Sequence, residues 1–288
     1  MSAGSVSRRL FCFGLGFSAL ALARRLRAEG FAIAGTCRSE KKAASLRDGG
    51  IETFVYGPDH PLDPAALAGT THLLLSIPPD ENGDPVARDL GNSLQALPLQ
   101  WVGYLSTTGV YGDRGGDWVD EASPLAPSTA RGRRRLEAEE QWAALDLPLH
   151  IFRLAGIYGP GRNQLATLRA GTAKRIVKEG QVFSRIHVED IANVLAASIA
   201  HPAPGTAYNV CDSEPAPPQD VVTYAAGLLG MTPPPEVPFE ETDLSPMAKS
   251  FYAESKRVSN KRIREELGVT LRYPTYREGL KALLAQTT

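Results

Sequence analysis

The feature that most constrains this chain is a glycine-rich turn between an apolar strand and an amphipathic helix near its start. Residues 9–13 (Arg-Leu-Phe-Cys-Phe) predict a strand, and the motif Gly-x-Gly-x-x-Ala follows directly at 14–19. Residues 20–29 place leucine and alanine on one helix face and arginine elsewhere. A second apolar run at 31–36 completes a strand–helix–strand unit, which is typical of two parallel strands.

Each small residue of this motif has a physical reason for its place. Gly14 permits the tight turn, Gly16 lets the backbone approach a pyrophosphate, and Ala19 lets the helix pack closely on the strand. The N-terminus of the predicted helix offers free N–H groups and a positive dipole end to phosphates, and Phe17 and Ser18, just before it, are further candidate cofactor contacts. The motif therefore predicts a dinucleotide site, and a tight turn without a ligand is the alternative.

The end of the second strand indicates which dinucleotide binds. NAD sites usually place an acidic residue there for the ribose 2′-hydroxyl, whereas NADP sites use a nearby arginine. Here the strand ends in Arg38 and Ser39, and Glu40 comes only afterwards. A guanidinium matches a phosphate with two hydrogen bonds, so these residues favour NADP, with NAD possible. Alternatively, Arg38 is a solvated residue at a strand edge.

Ser76, at the end of a later strand, is a further candidate cofactor contact.

The rest of the chain continues the alternation of strands and helices. Further strands are predicted at 51–56, 71–76, 101–106, 149–154 and 207–210, and later helices at 188–200, 219–229, 259–267 and from about Tyr276. This order is typical of a Rossmann-type α/β fold with a doubly wound parallel sheet. We expect the dinucleotide-binding domain to cover 1–155, completed by about 185–211. A smaller substrate-side lobe would comprise 156–184 and 212–288.

Composition excludes several classes of protein. The 288 residues carry 31 basic and 32 acidic side chains, so the net charge of −1 does not favour a nucleic-acid partner. Cys12, Cys37 and Cys211 are too few and too widely spaced for a disulfide framework or a zinc site, and we expect no metal. The apolar run at 10–23 imitates a secretory signal, but glycines interrupt it and arginines follow. We expect a cytoplasmic protein without a membrane partner.

Four further motifs resemble one enzyme family. They are Leu-Ser-Thr-Thr-Gly-Val-Tyr-Gly at 105–112, Arg-Leu-Ala-Gly-Ile-Tyr-Gly-Pro-Gly-Arg at 153–162, Arg-Ile-His-Val-Glu-Asp-Ile-Ala at 185–192 and Tyr-Asn-Val-Cys-Asp at 208–212. With the glycine motif, they resemble the extended short-chain dehydrogenase/reductases, the family of NAD-dependent epimerases and dehydratases. The resemblance covers essentially the whole chain. It implies an NAD(P)-binding Rossmann domain and a C-terminal lobe that binds a substrate, often a nucleotide-sugar.

The resemblance also implies a catalytic set, which this chain matches only in part. Thr107 occupies the family's Ser/Thr position, where its hydroxyl would contact a substrate; a strand-end cap is the alternative. The family's Tyr-x-x-x-Lys is missing, because Arg131 and Arg135 occupy the two positions. Arginine stays charged and cannot exchange the proton that tyrosine handles. A Tyr-x-x-x-Lys does occur at 252–256, but outside the expected helix, so we expect no catalytic role for it, although it could belong to a loop that reaches the substrate lobe.

Other residues could replace the missing tyrosine or bind an anionic group of the substrate. Tyr111 and Tyr158 follow strand ends in the matched motifs and could replace the catalytic tyrosine. Arg131 and Arg135 lie four apart on one helix face and, with Arg162, could bind a carboxylate or phosphate of a substrate. The alternative is a solvated helix on which the arginines pair with glutamates at i+4.

Two hypotheses about function follow. The first is an atypical NAD(P)-dependent oxidoreductase or isomerase that acts on a small polar or nucleotide-sugar-like substrate. The second is a non-catalytic NADP(H)-binding sensor or interaction module that has kept the cofactor site and lost the proton donor. The expected partner is a small molecule, and a homodimer is possible because dimers are common in the resembling family.

Overall fold

The computed structural model describes residues 8–286. Residues 1–7 and 287–288, which the predicted domains include, lie outside the described residues. The strands are β1 (Arg9–Phe13), β2 (Ala32–Cys37), β3 (Glu52–Val55), β4 (His72–Leu75), β5 (Trp101–Thr107), β6 (Trp118–Val119), β7 (Leu149–Leu154), β8 (Gly156–Tyr158), β9 (Arg175–Val177), β10 (Arg185–His187), β11 (Ala207–Val210), β12 (Glu236–Pro238) and β13 (Arg257–Val258). The α-helices are α1 (Phe17–Ala28), α2 (Glu40–Asp48), α3 (Pro85–Gln95), α4 (Ala130–Ala143), α5 (Gln164–Arg169), α6 (Val188–Ala200), α7 (Pro218–Leu228), α8 (Pro246–Tyr252), α9 (Lys261–Glu265) and α10 (Tyr276–Ala285).

Seven strands form one sheet in the order β11-β7-β5-β4-β1-β2-β3. The pairs β1–β2, β1–β4, β2–β3 and β4–β5 are all parallel. Since the chain winds outward from β1 in both directions, with helices between strands, the predicted Rossmann-type doubly wound fold is confirmed. In this arrangement the carboxyl ends of β1, β2 and β4 lie at one edge of the sheet, where ligands of such folds bind.

The central strands are apolar on both faces because helices cover both sides of a parallel sheet. Every residue of β4 is buried, and so are the last four residues of β1. A core cluster packs these strands against α3 and α4 through the buried side chains Phe11, Phe13, Leu73, Leu75, Leu90, Leu94, Ala138 and Trp142. Each large side chain buried in this way stabilises the fold by about 1.5–3 kcal/mol.

One glycine allows β1 and β2 to lie close together. A Cβ atom placed on Gly35 would come within 2.4 Å of the carbonyl oxygen of Cys12 on β1. Since no other residue lacks a Cβ, only glycine fits at this point of the β1–β2 pair.

The described residues form two compact units. Unit 1 consists of 8–106, Arg134–Phe152 and Ile191–Ala207, and unit 2 consists of Thr107–Arg133, Arg153–Asp190 and 208–286. The predicted boundaries differ from this division by a few residues at 153–155, 185–190 and 208–211, and most of all at 107–133, which the sequence assigns to the Rossmann domain. The reason is a set of backbone hydrogen bonds within unit 2, for example from Arg257 N–H to the carbonyl of Asp117 at 2.9 Å and from Ser259 N–H to that of Val119 at 2.9 Å.

Unit 2 is built from short parallel strand pairs and helices. The strand pairs are β8–β10, β9–β12 and β6–β13. Helices α5, α7 and α10 bury a second apolar cluster that includes Leu165, Leu168, Val221, Ala225, Tyr276, Leu280 and Leu283. This cluster is the hydrophobic core of unit 2.

Residues 8–286 contain neither a helix suited to a membrane nor a cluster of metal-binding side chains. None of their helices is both long enough and apolar enough to cross a membrane. No group of three or more His, Cys, Asp or Glu side chains in this part of the chain could hold a metal ion.

Candidate functional site

The glycine turn between β1 and α1 has the backbone geometry that its motif requires. Gly14 has a φ of +89°, in the left-handed region that favours glycine. Its N–H donates to Thr36 Oγ1 at 2.9 Å, and Gly16 N–H donates to the Gly14 carbonyl at 2.7 Å. A Cβ on Gly14 would lie only 3.1 Å from Ile77 Cγ1, so the turn packs against the segment after β4.

Helix α1 begins with unused hydrogen-bond donors. Gly16 is its N-cap, no side chain caps it, and the first helical bond runs from Leu20 N–H to the Gly16 carbonyl. The N–H groups of Phe17, Ser18 and Ala19 therefore have no partner within the helix. A Cβ on Gly16 would meet only one atom within 4 Å among the described residues, the Gly14 oxygen at 3.9 Å, so the side-chain position of the N-cap residue is open. Free N–H groups and the helix dipole make this a site for an anion.

The carboxyl end of β2 presents an arginine without a competing acid. Arg38 is exposed, and its guanidinium has no hydrogen-bond or ion-pair partner among residues 8–286. Glu40, the nearest acid, is bound to Arg47 of its own helix with Oε1 and Nη1 2.5 Å apart. Ser39 is the N-cap of α2, and its hydroxyl makes no capping hydrogen bond. A guanidinium and a hydroxyl are thus both available at this strand end.

Ser76 lies directly after β4, beside the glycine turn. Its N–H donates to the carbonyl of Phe13 at 2.9 Å, and its carbonyl carbon lies 3.4 Å from where a Gly14 Cβ would be. The predicted cofactor residues at 14–19, 38–39 and 76 therefore all belong to unit 1 and lie at the carboxyl ends of adjacent parallel strands.

Thr107 is the last residue of β5 and caps the 3₁₀ turn that follows it. Its Oγ1 accepts a hydrogen bond from Gly109 N–H at 3.1 Å. The capping alternative is therefore what the structure shows. Because the oxygen acts here as an acceptor, the hydroxyl hydrogen of this half-buried residue is still available to a ligand.

Tyr111 is fully buried, and its hydroxyl is already used twice. It donates to Asn209 Oδ1 at 2.8 Å and accepts from Arg153 Nη1 at 3.0 Å. Burial raises the pKa of Tyr111, and the Arg153 charge opposes that rise. This is the environment of a structural hydrogen bond rather than of a proton donor that a substrate can reach.

Tyr158 is also buried, within the core of unit 2. Its ring lies edge-on to His187, with centroids 5.1 Å apart, and its hydroxyl donates weakly to the carbonyl of Thr275 at 3.5 Å. A Cβ on Gly279 of α10 would clash with that hydroxyl. Burial raises the pKa of Tyr158 above its usual value. Neither candidate tyrosine therefore has an accessible hydroxyl.

The candidate substrate arginines have different environments. The Arg131 guanidinium lies over the ring of Phe251, 4.2 Å from its centroid. Arg135 Nη1 donates to the carbonyl of Leu105 at 2.9 Å and to the hydroxyl of Tyr104 at 3.2 Å, so this arginine supports β5 within unit 1. Arg162 is exposed and has no side-chain partner in the described part of the chain.

Two residues named in the alternative of glutamate pairing on α4 also bind other groups. Arg133 donates to the carbonyl of Ser128 at 3.0 Å, and Glu139 is buried and accepts from the hydroxyl of Ser106. The pairing alternative stays a prediction.

Sequence reasoning missed a buried ion pair near Gly109, in the turn that follows Thr107. Lys256 Nζ and Glu254 Oε2 are 2.7 Å apart, with side chains only 9% and 10% exposed. Glu254 Oε2 lies 3.9 Å from where a Cβ would stand on Gly109, and Thr107 Oγ1 lies 3.4 Å from the same point. The signal was the Tyr-x-x-x-Lys motif at 252–256, whose distance from Thr107 in sequence gave no reason to connect the two.

The tyrosine of that motif faces an aromatic cluster. Tyr252 lies edge-on to Phe183 and stacks on Phe239, with centroids 5.4 and 5.1 Å apart. The tyrosine of the motif thus belongs to an aromatic cluster, and its lysine to the ion pair with Glu254.

Comparisons with known proteins agree with this fold. No protein-family model matches the chain. A solved structure of a conserved protein of unknown function from Silicibacter pomeroyi DSS is 55% identical, with a TM-score of 0.90 over 98% of this chain and 99% of that one. A protein from Methylobacillus flagellatus, assigned to the NAD-dependent epimerases and dehydratases, is 30% identical, with a TM-score of 0.73 over 98% and 99% of the two chains. Protein YeeZ of Escherichia coli K12 is 29% identical over 283 residues, 93% of this chain and 97% of that protein.

Proposed function

Because this chain belongs to the NAD-dependent epimerase/dehydratase family, we propose that it is an NADP(H)-dependent enzyme that oxidises, reduces or isomerises a small polar substrate. The cofactor would bind in unit 1 and the substrate groups in unit 2, through the residues described above.

The residues of unit 1 fit a dinucleotide. The open space at Gly16 and the free N–H groups of Phe17, Ser18 and Ala19 would receive the pyrophosphate. Ser76 would contact the cofactor beside the glycine turn. When bound, the nicotinamide supplies or accepts a hydride, and the chain itself contributes binding, orientation and proton transfer.

The guanidinium of Arg38, which has no partner among residues 8–286, carries the proposal of NADP rather than NAD. A ribose 2′-phosphate carries negative charge, which an acidic residue at the end of β2 would repel and a free guanidinium binds with two hydrogen bonds. Glu40 already binds Arg47 through its Oε1, which lowers its tendency to act as the acidic residue that NAD sites place at this strand end. Ser39 adds a neutral donor at the same place.

A fluorescence titration of NADPH and NADH tests this proposal. Hydrogen bonds to charged groups contribute about 1.5–3 kcal/mol, so we expect the unaltered protein to bind NADPH about 10- to 100-fold more tightly than NADH. Arg38→Ala should remove this preference and leave NADH binding nearly unchanged. Arg24→Ala removes an exposed arginine of α1 in the same unit and should leave the preference intact. Equal affinities of the unaltered protein for NADPH and NADH would contradict the proposal of NADP as the cofactor.

The polar groups of unit 2 support a substrate with an anionic group. Thr107 offers a hydroxyl hydrogen, and Arg162 has no partner within residues 8–286 that would compete for a carboxylate or phosphate. We include nucleotide-sugar-like compounds in this class because the family often binds them.

A specific observation favours the second candidate, a non-catalytic NADP(H) sensor. Arginines replace the family's tyrosine and lysine, and the hydroxyls of Tyr111 and Tyr158 are buried. The two candidates differ in whether a substrate is converted: a reductase consumes bound NADPH, whereas an isomerase regenerates its cofactor and changes only the substrate. We expect one of the two changes when carbonyl compounds that carry a carboxylate or phosphate, such as pyruvate, 2-oxoglutarate and dihydroxyacetone phosphate, are added. Binding of NADPH with neither a fall in its absorbance nor a change in any compound of the panel would favour the sensor.

A further inference from the structure

Trp118 differs from the other two tryptophans of the chain in its exposure to solvent. Trp101 and Trp142 are fully buried, whereas Trp118 is 61% exposed. A tryptophan combines a large apolar ring with one N–H donor, and such residues are enriched where a protein meets a ligand or a partner. The Nε1 of Trp118 has no hydrogen-bond partner among residues 8–286. The groups around this ring therefore determine what it can bind.

Trp118 lies on the open face of a small parallel sheet. Strand β6 pairs with β13 so that Val119 lies beside Val258, and both valines are buried. Successive side chains along a strand point to opposite faces. Trp118 and Asp120, on either side of Val119, and Ser259, directly after Val258, therefore lie on the face opposite to the valine side chains.

A groove of about 280 Å³ follows this open face, and its lining is mixed in character. Trp118 supplies an aromatic surface, Asp120 a carboxylate, and Ser123 and Ser259 two hydroxyls, while Val119 completes the lining. All five residues belong to unit 2. None of them is among the candidate cofactor or substrate residues, so the groove is a further candidate binding site within this unit.

Local hydrogen bonds orient the polar groups of the groove and leave some of their capacity to a ligand. Asp120 Oδ1 accepts from Ala122 N–H and from Ser123 Oγ, both at 3.0 Å. Asp120 Oδ2 has no partner in the described part of the chain. The Ser259 hydroxyl accepts from Lys261 N–H at 3.3 Å, so its own hydrogen is available. The groove thus offers a charged acceptor and a hydroxyl donor beside the indole ring.

The size of the groove favours a small molecule over a protein partner. Stable protein interfaces bury roughly 800 Å² on each partner and have an apolar centre. This groove holds one aromatic ring among polar groups, and its volume lies at the lower end of the range for small-molecule sites. A ligand with a single ring is therefore of the right size.

The charges around the ring favour a neutral ligand. The Asp120 carboxylate repels an anion such as a phosphate. An indole face beside a carboxylate would attract an ammonium group. However, Arg257 pairs with Trp118 in the register of the two strands, which brings a positive charge to the same face, and its Nη1 donates to the carbonyl of Gly116. A neutral ligand meets neither repulsion.

A pyranose sugar combines the required properties. One face of its ring carries mainly C–H groups, which pack against the electron-rich face of an aromatic ring. Hydroxyls surround the ring edge, and each of them donates and accepts hydrogen bonds, which suits a carboxylate and serine hydroxyls.

We propose that the groove beside Trp118 binds a neutral pyranose sugar, stacked on the indole ring and hydrogen-bonded to Asp120, Ser123 and Ser259. This site is additional to the proposed function and does not rest on it. No bond of the sugar is made or broken there.

Acrylamide quenching of tryptophan fluorescence tests the proposal in the unaltered protein without cofactor. Since Trp101 and Trp142 are buried, the emission that acrylamide quenches readily comes from Trp118. The probes are the methyl glycosides of glucose, galactose, mannose and N-acetylglucosamine. At least one of them should protect Trp118, with a half-maximal effect at roughly 1 mM, the affinity expected of a ligand with so few atoms.

Two substitutions separate the contacts, with saturation-transfer NMR of the protecting glycoside as the measurement. Trp118→Ala should abolish the transfer, and because this side chain is largely exposed, the denaturation midpoint in urea should stay nearly unchanged. Asp120→Asn keeps an Oδ1 acceptor and loses the charge, so it should weaken binding about 10-fold. Asp117→Asn is the matched control, because it makes the same charge change beside Trp118 outside the lining of the groove.

Several results would overturn the proposal. One is that none of the four glycosides protects Trp118; another is that choline protects it and the glycosides do not, because the groove then recognises a cation. Protection that grows with protein concentration in the absence of sugar would show that a second copy of the chain covers the ring instead. Equal transfer in the unaltered protein and in Trp118→Ala would place the sugar elsewhere. Since none of these measurements involves NADPH, their failure leaves the proposed function standing.

Discussion

Asp212 shows how burial changes the chemistry of a single side chain. The residue is 1% exposed, and its Oδ1 accepts a hydrogen bond from Glu214 N–H at 3.3 Å. Its Oδ2 has no hydrogen-bond partner among residues 8–286. Burial raises the pKa of Asp212 to about 8, although the neighbouring Arg185 charge opposes the rise. The folded protein therefore favours the protonated carboxyl at this position.

This carboxyl should make stability depend on pH. In the unfolded chain an aspartate loses its proton near pH 4, so between about pH 4 and pH 8 the folded state binds a proton that the unfolded state lacks. Its contribution to the free energy of unfolding is complete below about pH 4 and is lost as the pH rises through about 8. Asp212→Asn cannot ionise and should lose less stability over this range.

Urea denaturation at a series of pH values measures the difference between the two proteins. Asp243→Asn is the control, because Asp243 is exposed in the same unit. If the free energy of unfolding changes with pH in the same way for the unaltered protein and for Asp212→Asn, the raised pKa of Asp212 is contradicted.

At the residue scale, the sequence located the glycine turn and the candidate cofactor residues more directly than the buried Glu254–Lys256 ion pair. Gly14, Gly16 and Arg38 follow strand ends that the sequence shows directly, and their predicted roles depend on local backbone geometry. The ion pair could not be predicted, because the burial of Lys256 depends on contacts between segments far apart in the chain.

Among the elements, α10 shows a complete capping box at its start. Thr275 Oγ1 accepts from Arg277 N–H at 3.1 Å, and Glu278 Oε2 accepts from Thr275 N–H at 3.1 Å. Two otherwise unpaired donors are satisfied in this way. Helix α10 contributes Leu280 and Leu283 to the core of unit 2. A capped N-terminus of α10 therefore also stabilises that core.

Removal of the cap should destabilise the protein by a measurable amount. Thr275→Ala deletes the accepting hydroxyl and should lower the free energy of unfolding by about 1 kcal/mol. Thr275→Ser keeps a hydroxyl and should recover most of this loss. The measurement is the denaturation midpoint in urea, and identical midpoints for the Ala and Ser variants would show that the cap contributes nothing.

The longer elements were predicted well, and the short ones were not. The bounds of β1, β7, β11 and α6 agree with the sequence predictions, because four to thirteen residues show a clear apolar pattern. Strands such as β6 and β13, with two residues each, carry no periodicity. The helix predicted at 259–267 is shorter, at Lys261–Glu265, and α1 begins three residues earlier than predicted.

For the whole molecule, the strand order follows from the sequence pattern, whereas the division into two units depends on contacts between distant segments. The parallel sheet follows from alternating strands and helices, and the observed order with β1 at the centre of the winding agrees with the family. The units combine distant parts of the chain, since unit 1 includes Arg134–Phe152 and Ile191–Ala207. The homodimer and the cytoplasmic location stay predictions.

The sequence by itself determined the Rossmann-type fold, the glycine turn and the absence of the family's tyrosine and lysine from their usual helix. These are local patterns of apolar spacing, small residues and residue identity, which do not depend on distant contacts. Only the tertiary structure decided that Tyr111 and Tyr158 are buried and that Lys256 lies with Glu254 next to the turn after Thr107. Burial and ion pairing depend on which distant segments pack together, and a linear pattern does not encode those partners.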